Sequence, residues 1–369
     1  MNMEAPSVRI LSPNFELLGE IRNYESLQFT RRFYSTGEFE LHININKANT
    51  GALQNGNLIM LGKDEKRVGI VRHRENEIDE NGDSTDTLTI KGPTLKGVCG
   101  QRIIVPATDG DGYDSYSGSQ EAIMKHFVNA HCVNPIDADR KIPHLVIAAD
   151  QGRGASDQWR FRFDNLAEAL EQVGQYAKLG WDVTLDLSNE QMVFDVMQGR
   201  NLTAGQDTLP PVIFSTEFSD IKTPHFIQSW LNAATVGYAG GAGEDANRLI
   251  QSVGSASGLD RMETFLDCSD AANAAELISK GTQKLAESAP AKAFEFSVVH
   301  DHPFVYGTDY DLGDTVTTRS KKWGLTMDAQ ITEVKEIYEA GGNSMEVTFG
   351  TSIPSLRKYI NHKTYRVVN

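Results

Sequence analysis

Cysteine is scarce in this chain: Cys99, Cys132 and Cys268 are the only three in 369 residues, they lie far apart, and they form no C-x-x-C pair. That spacing argues against a disulfide framework and against a structural zinc site, so buried thiols are the expected state. Long apolar runs are missing as well. No stretch reaches the about 18 apolar residues of a membrane-spanning helix, and the N-terminal MNMEAPSVRI lacks the basic-then-apolar layout of a signal peptide. Synthesis and folding in a cytoplasm are therefore expected. Positive charge is in deficit, with 35 basic against 50 acidic residues and a formal charge of -15. Such a balance disfavours a surface built to neutralise phosphates. The rest is ordinary globular composition, 40% hydrophobic and 23% charged, which excludes disorder over the bulk and at this length suffices for two or three domains.

Catalytic and ligand-binding constellations are equally thin. Gly241-Ala242-Gly243-Glu244-Asp245-Ala246 satisfies G-x-G-x-x-A. The dinucleotide fingerprint needs a helix to open after the loop, whereas residues 248–254 are short, partly β-branched and stopped by Gly254, so a hairpin tip is expected. Asp79-x-Asn81-x-Asp83 and Asp109-x-Asp111 begin like calcium loops, but the sixth and twelfth positions are Ser84 and Ile90 in one, Asp114 and Gln120 in the other. Both read as solvated turns, the second being the better candidate for a hard cation. His126 and His131 are five residues apart, off the i, i+4 spacing that aligns two imidazoles on an α-helix; His300 and His302 share a strand face without an evident third ligand. Gly254-Ser255-Ala256-Ser257-Gly258 puts alanine where a nucleophile elbow needs serine. Trp159, Trp181, Trp230 and Trp323 are too scattered to predict a carbohydrate platform. No catalytic, cofactor or metal residues are assigned, and no enzyme activity is expected.

What the chain does have is short alternating strands punctuated by turns. Residues 7–92 read as strands separated by Gly, Asn and Asp turns, the pattern of a small barrel or sandwich. From about residue 95 the character changes. Ser119 is placed to cap a helix carrying Ile123 and Phe127, and Asp164 precedes a second helix with Leu166, Leu170, Val173 and Ala177 on one face. Strands follow at 181–187 and 191–196. After Pro210-Pro211 come strands at 212–215, 229–238 and 248–253, a helix at 270–287, and a strand at 292–300. The closing stretch, 310–354, holds strands at 315–319, 327–337 and 345–349, with reversals at Leu312-Gly313-Asp314, Gly324 and Gly341-Gly342. The fold class is mainly β with an α+β insertion, in two β-barrel modules. The boundaries fall at 1–94 for the first module, 95–205 for the insertion and 206–355 for the second, with a basic tail at 356–369.

The closing strands resemble those of bacteriophage tail hub, or tail-associated, proteins. Residues 27–45, LQFTRRFYSTGEFELHINI, are similar to that family's entry pattern through Phe29, Arg31, Gly37, Phe39 and Leu41. A hairpin at 69–77 and 88–92 ending at Gly92, then Leu95 and Arg102-Ile103, and later strands, follow in the family's order over nearly the whole chain. The resemblance implies structural turns at Gly37, Gly92, Gly313 and Asp314, and two similar barrels, so that three subunits present six barrels to a six-fold tail tube. It further implies a homotrimeric hub at the virion's tail tip or baseplate. Its partners would be a distal tail protein or tail tube ring, a tape measure protein, and tail fibre or tip proteins, with DNA only as passing cargo. Some longer relatives carry a cell-wall hydrolase domain, and a chain ending at Asn369 leaves no room for one. That hydrolase and a carbohydrate-binding β-protein are the alternative readings.

Overall fold

Alternation of apolar and polar residues places successive side chains on opposite faces of extended chain, and strands are the dominant element here, 44% against 17% helix. The computed structural model describes residues 4–350 except 79–83, 108–109, 111, 218–220, 232, 244–246, 272 and 299–302. The calcium-like stretches around Asp79 and Asp109, the His300–His302 pair and the basic tail 356–369 thus lie outside the described residues. Packing separates two units, residues 4–224 with 296–347, and residues 225–295 with 348–350. This division is coarser than the segments 1–94, 95–205 and 206–355 read from sequence.

In the first unit, strands Leu17–Ile21, Val8–Leu11, Leu58–Leu61 and Val68–Ile70 form one sheet in that order. Strands Leu325–Glu339, Ser26–Arg32, Glu38–Asn44, Ser84–Pro93 and His73–Ile78 follow one another in a second. Ile10 and Ile59 from the one and Leu27, Phe29, Leu41 and Ile90 from the other bury into a common core. The barrels expected from sequence do not form, since among the described residues no sheet closes on itself. The strands of the N-terminal segment divide between two layers that stack face to face, each contributing one apolar face. Gly92 lies inside strand Ser84–Pro93, where a Cβ would stand 1.8 Å from the Ile70 carbonyl oxygen. Gly69 leaves room for Phe39, whose ring would be 2.4 Å from an added Cβ. Both glycines permit the two layers to approach.

The insertion follows the helical signals closely. Ser119 Oγ accepts the amide of Ala122 at 3.1 Å and opens helix Gln120–Val128. The second helix, Leu166–Ala177, starts one residue later than Asp164 suggests, because Asn165 accepts from the amides of Ala167 and Glu168. Its Leu166, Leu170 and Val173 pack with Ile123, Phe127 and Trp181 in one core. Strands Gly180–Asp186 and Gln191–Met197 pair antiparallel, and Leu145–Ile147 adds in parallel.

In the second unit, Val236–Gly240 is flanked by the antiparallel strand Ile250–Gly254 and the parallel strand Glu263–Asp267. The loop after Gly240 thus joins antiparallel strands, as a hairpin does and a dinucleotide-binding turn does not. Helix Ala274–Ala286, shorter than the expected 270–287 because Asn273 caps it, covers this sheet with Leu277. Gly281 lets it close on Ala239, 2.8 Å from an added Cβ.

Candidate functional site

The expected turn at Leu312-Gly313-Asp314 is the best-built polar feature of the first unit. Asp311 O accepts the Asp314 amide at 3.1 Å, and the Gly313 amide donates to Ile331 O at 2.8 Å. The Asp314 carboxylate is buried at 2% exposure. It accepts from the Asp311 amide, the Arg200 amide and the Arg200 guanidinium, the shortest at 2.6 Å. These hydrogen bonds, with the added charge attraction, raise the pKa of Arg200 further. A side chain is excluded at Gly313, where φ is 96° and a Cβ would lie 2.2 Å from the Phe33 ring. Gly180 stands against the same ring, with its added Cβ at 2.3 Å. Phe33 is wholly buried, and its amide donates to Thr332 O while its carbonyl accepts from the Trp181 amide.

Charged groups gather beside this ring. Lys96 Nζ donates to the carbonyls of Arg32 and Phe33 at 2.8 and 3.2 Å and lies 4.3 Å from the Trp181 ring centroid. Burial disfavours its ammonium form and brings the pKa from 10.5 down to about 8. Arg31 reaches Tyr306 Oη at 3.2 Å, Asp182 at 3.3 Å and Asp311 at 3.8 Å. Burial works against its charge, and Tyr306, Asp182 and Asp311 outweigh that, holding its pKa above the ordinary arginine value. Burial also pushes up the Tyr306 hydroxyl. A small cleft opens beside Arg31, Lys66, Lys96 and Asp182. Arg31, Lys96 and Arg200 are engaged by carboxylates, a hydroxyl or carbonyls. The arrangement fastens four chain segments together.

The other expected turn residues are positioned by space. Gly37 precedes strand Glu38–Asn44, with Thr30 O only 2.0 Å from where a Cβ would stand. Its amide donates to Thr94 Oγ1 at 3.2 Å and its carbonyl accepts the Thr94 amide at 2.9 Å. Neither Gly37 nor Gly92 has positive φ.

Sequence spacing missed a cluster in the insertion. After helix Gln120–Val128 the chain makes a π-helical turn, Asn129–Val133, whose i→i+5 geometry brings a residue five positions on to the same face. His126 and His131 therefore converge, with Nε2 at 2.8 and 2.7 Å from the two Asp114 oxygens. Burial opposes the charge of Asp114, and the hydrogen bonds from both imidazoles outweigh it and hold its carboxyl below the ordinary range. Among the described residues no group of three or more His, Cys, Asp or Glu is arranged to hold a metal ion. Cys99 and Cys132, far apart in sequence, also meet: the thiols share a hydrogen bond that, with burial, pushes the Cys99 pKa up. Trp159 and Trp181 are core residues, and Trp230 and Trp323 are half exposed.

The fold is that of prophage tail proteins. The 43 kDa tail protein of prophage MuSo2 from Shewanella oneidensis superposes with a TM-score of 0.60 at 12% identity, over 93% of this chain and 98% of that one. A tail protein from Neisseria meningitidis MC58 gives 0.58 at 13% identity, covering 94% and 96%. Prophage tail protein gp18 from Listeria monocytogenes EGD-e gives 0.54 at 12% identity, covering 99% and 100%. Residues 7–351 match the Siphovirus ReqiPepy6 Gp37-like proteins, and the chain belongs to that family. No curated protein matches it. The resemblance to phage tail-associated proteins drawn from the sequence is borne out.

Two outcomes test the junction. Gly313→Val should lower stability by at least about 1–3 kcal/mol, the usual scale for a side chain forced into positive φ, with the Phe33 contact adding to it. An unchanged urea midpoint would remove the turn from its structural role. For Lys96, the unfolded chain binds its proton more tightly than the folded protein between pH about 8 and 10.5. Folding stability from this group therefore rises with pH across that window. The stability gap between wild type and Lys96→Met, followed by urea denaturation at pH 7.5 and pH 10, should shift in favour of wild type at the higher pH.

Proposed function

We propose that this protein is a tail-tip or baseplate hub of a phage or prophage, a homotrimeric ring that joins the tail tube or distal tail ring to the cell-facing parts. The carrying observation is that three prophage tail proteins superpose over nearly their whole length and nearly the whole of this chain. The likeness therefore concerns the complete architecture. Within it, Gly37, Gly92, Gly313 and Asp314 act through backbone shape, holding strands in register for assembly. The segments 1–94 and 206–355 are the two β modules that relate a three-fold ring to a six-fold tube, with 95–205 between them. The distal tail protein, the tape measure protein and the fibre or tip proteins are its neighbours, and DNA passes as cargo along an acidic surface that repels it.

The function is mechanical. At the Phe33 junction Arg31, Lys96 and Asp314 are committed to ion pairs and hydrogen bonds.

Light scattering of the purified protein and electron microscopy of assembled tails should give three copies per particle. Two copies, or a six-copy ring, in both measurements would overturn the hub reading. Incubation with purified host cell wall should release neither reducing sugars nor free amines. Release that disappears on changing a single carboxylate or serine would establish a hydrolase instead.

A further inference from the structure

One surface of the insertion departs from the acidic character of the chain. Residues 102–104 run against 163–165: the Phe163 amide donates to Ile104 O at 2.7 Å, the Ile104 amide donates to Asp164 O at 2.9 Å, and Ile103 bridges Asn165. Arg102 Nε donates to Arg140 O at 2.6 Å, and Arg140 donates to the Ile103 carbonyl. These contacts set Arg102, Arg140, Arg162, Ile103 and Phe163 on one contiguous patch. Arg162 stands 5.4 Å from the Phe163 ring and 5.8 Å from that of Tyr113, and Arg160 lies 3.9 Å from Tyr113.

Two observations make this patch unusual. Arg102, Arg140 and Arg162 form no ion pair among the described residues, in a protein with a formal charge of -15. Asp164 accepts from the Arg162 amide and Asp137 from the Asp139 amide, which turns these two carboxylates to the backbone. The second is Phe163, a bulky residue at φ 60° whose side chain is nevertheless 56% exposed. Left-handed backbone at a non-glycine aromatic is unfavourable, and little burial accompanies it. Ile103, at 44%, is exposed alongside.

We propose that this patch docks an acidic polypeptide segment carrying a bulky apolar side chain: carboxylates meet the three guanidiniums, and the apolar residue meets Phe163 and Ile103. Arginine flanked by aromatic and aliphatic side chains is the composition of a protein-binding hot spot. A polyphosphate is the weaker fit, because the exposed apolar groups of Phe163 and Ile103 have no partner on a phosphate chain.

The test uses the full chain and fluorescence anisotropy with two labelled probes, a glutamate-rich peptide with one central leucine and a single-stranded oligonucleotide of matched charge. The peptide should bind saturably, and Arg162→Gln and Phe163→Asn should each weaken it by about tenfold, equivalent to 1.4 kcal/mol. Asparagine tolerates positive φ, so the second variant removes the ring with the fold preserved, and Arg162→Gln alters only an exposed side chain. Absence of saturable peptide binding would overturn the proposal, as would binding that neither variant weakens. Oligonucleotide binding as tight as the peptide's, lost in the same variants, would replace it with a nucleic-acid surface.

Discussion

Phe33 sits directly after strand Ser26–Arg32, and its ring fills a slot whose walls are the backbones of Gly180 and Gly313. Those two residues come from the insertion and from the C-terminal strands, so one aromatic ring sets the spacing of segments separated by most of the chain. Its own backbone completes the link, through Thr332 on one side and Trp181 and Lys96 on the other. Close packing of this kind tolerates neither an added Cβ nor a lost ring, because interiors are filled at crystal-like density. Strand Leu325–Glu339 can then pair with Ser26–Arg32 in register, Val334 opposite Arg31.

Charge burial around this slot is settled case by case. Arg31 keeps its charge because Tyr306, Asp182 and Asp311 compensate its desolvation. Lys96 meets only carbonyls and an aromatic face at short range, and its desolvation dominates. The difference follows from partner type: a carboxylate stabilises a buried cation far more than a neutral oxygen does.

Local chemistry was readable where the causes are local. Ser119 as a cap, the hairpin expected at 181–187 and 191–196 and found within a residue of those bounds, the Leu312-Gly313-Asp314 reversal and the alternating closing strands all appear where turn residues and periodicity put them. Misreadings arose where distant segments decide. Stacking of two sheets replaces barrel closure, and Gly92, expected as a turn, lies within a strand pressed against Ile70. A π-turn makes five-residue spacing bring His126 and His131 to one carboxylate, and nothing in composition announces such a turn. Cys99 and Cys132 meet only because the core of the insertion folds over both.

Sequence alone determined the mainly β character and the positions of most strands and helices, since each depends on residues within a few positions of one another, and the order of those elements carried the phage tail resemblance. Tertiary structure decided which strands share a sheet, that the layers stack open, that Phe33 joins three distant segments, and that Arg102, Arg140 and Arg162, without ion pairs among the described residues, lie near an exposed Phe163. Those outcomes depend on approach of residues tens to hundreds of positions apart, and hydrophobic patterning specifies which face is buried without specifying its partner.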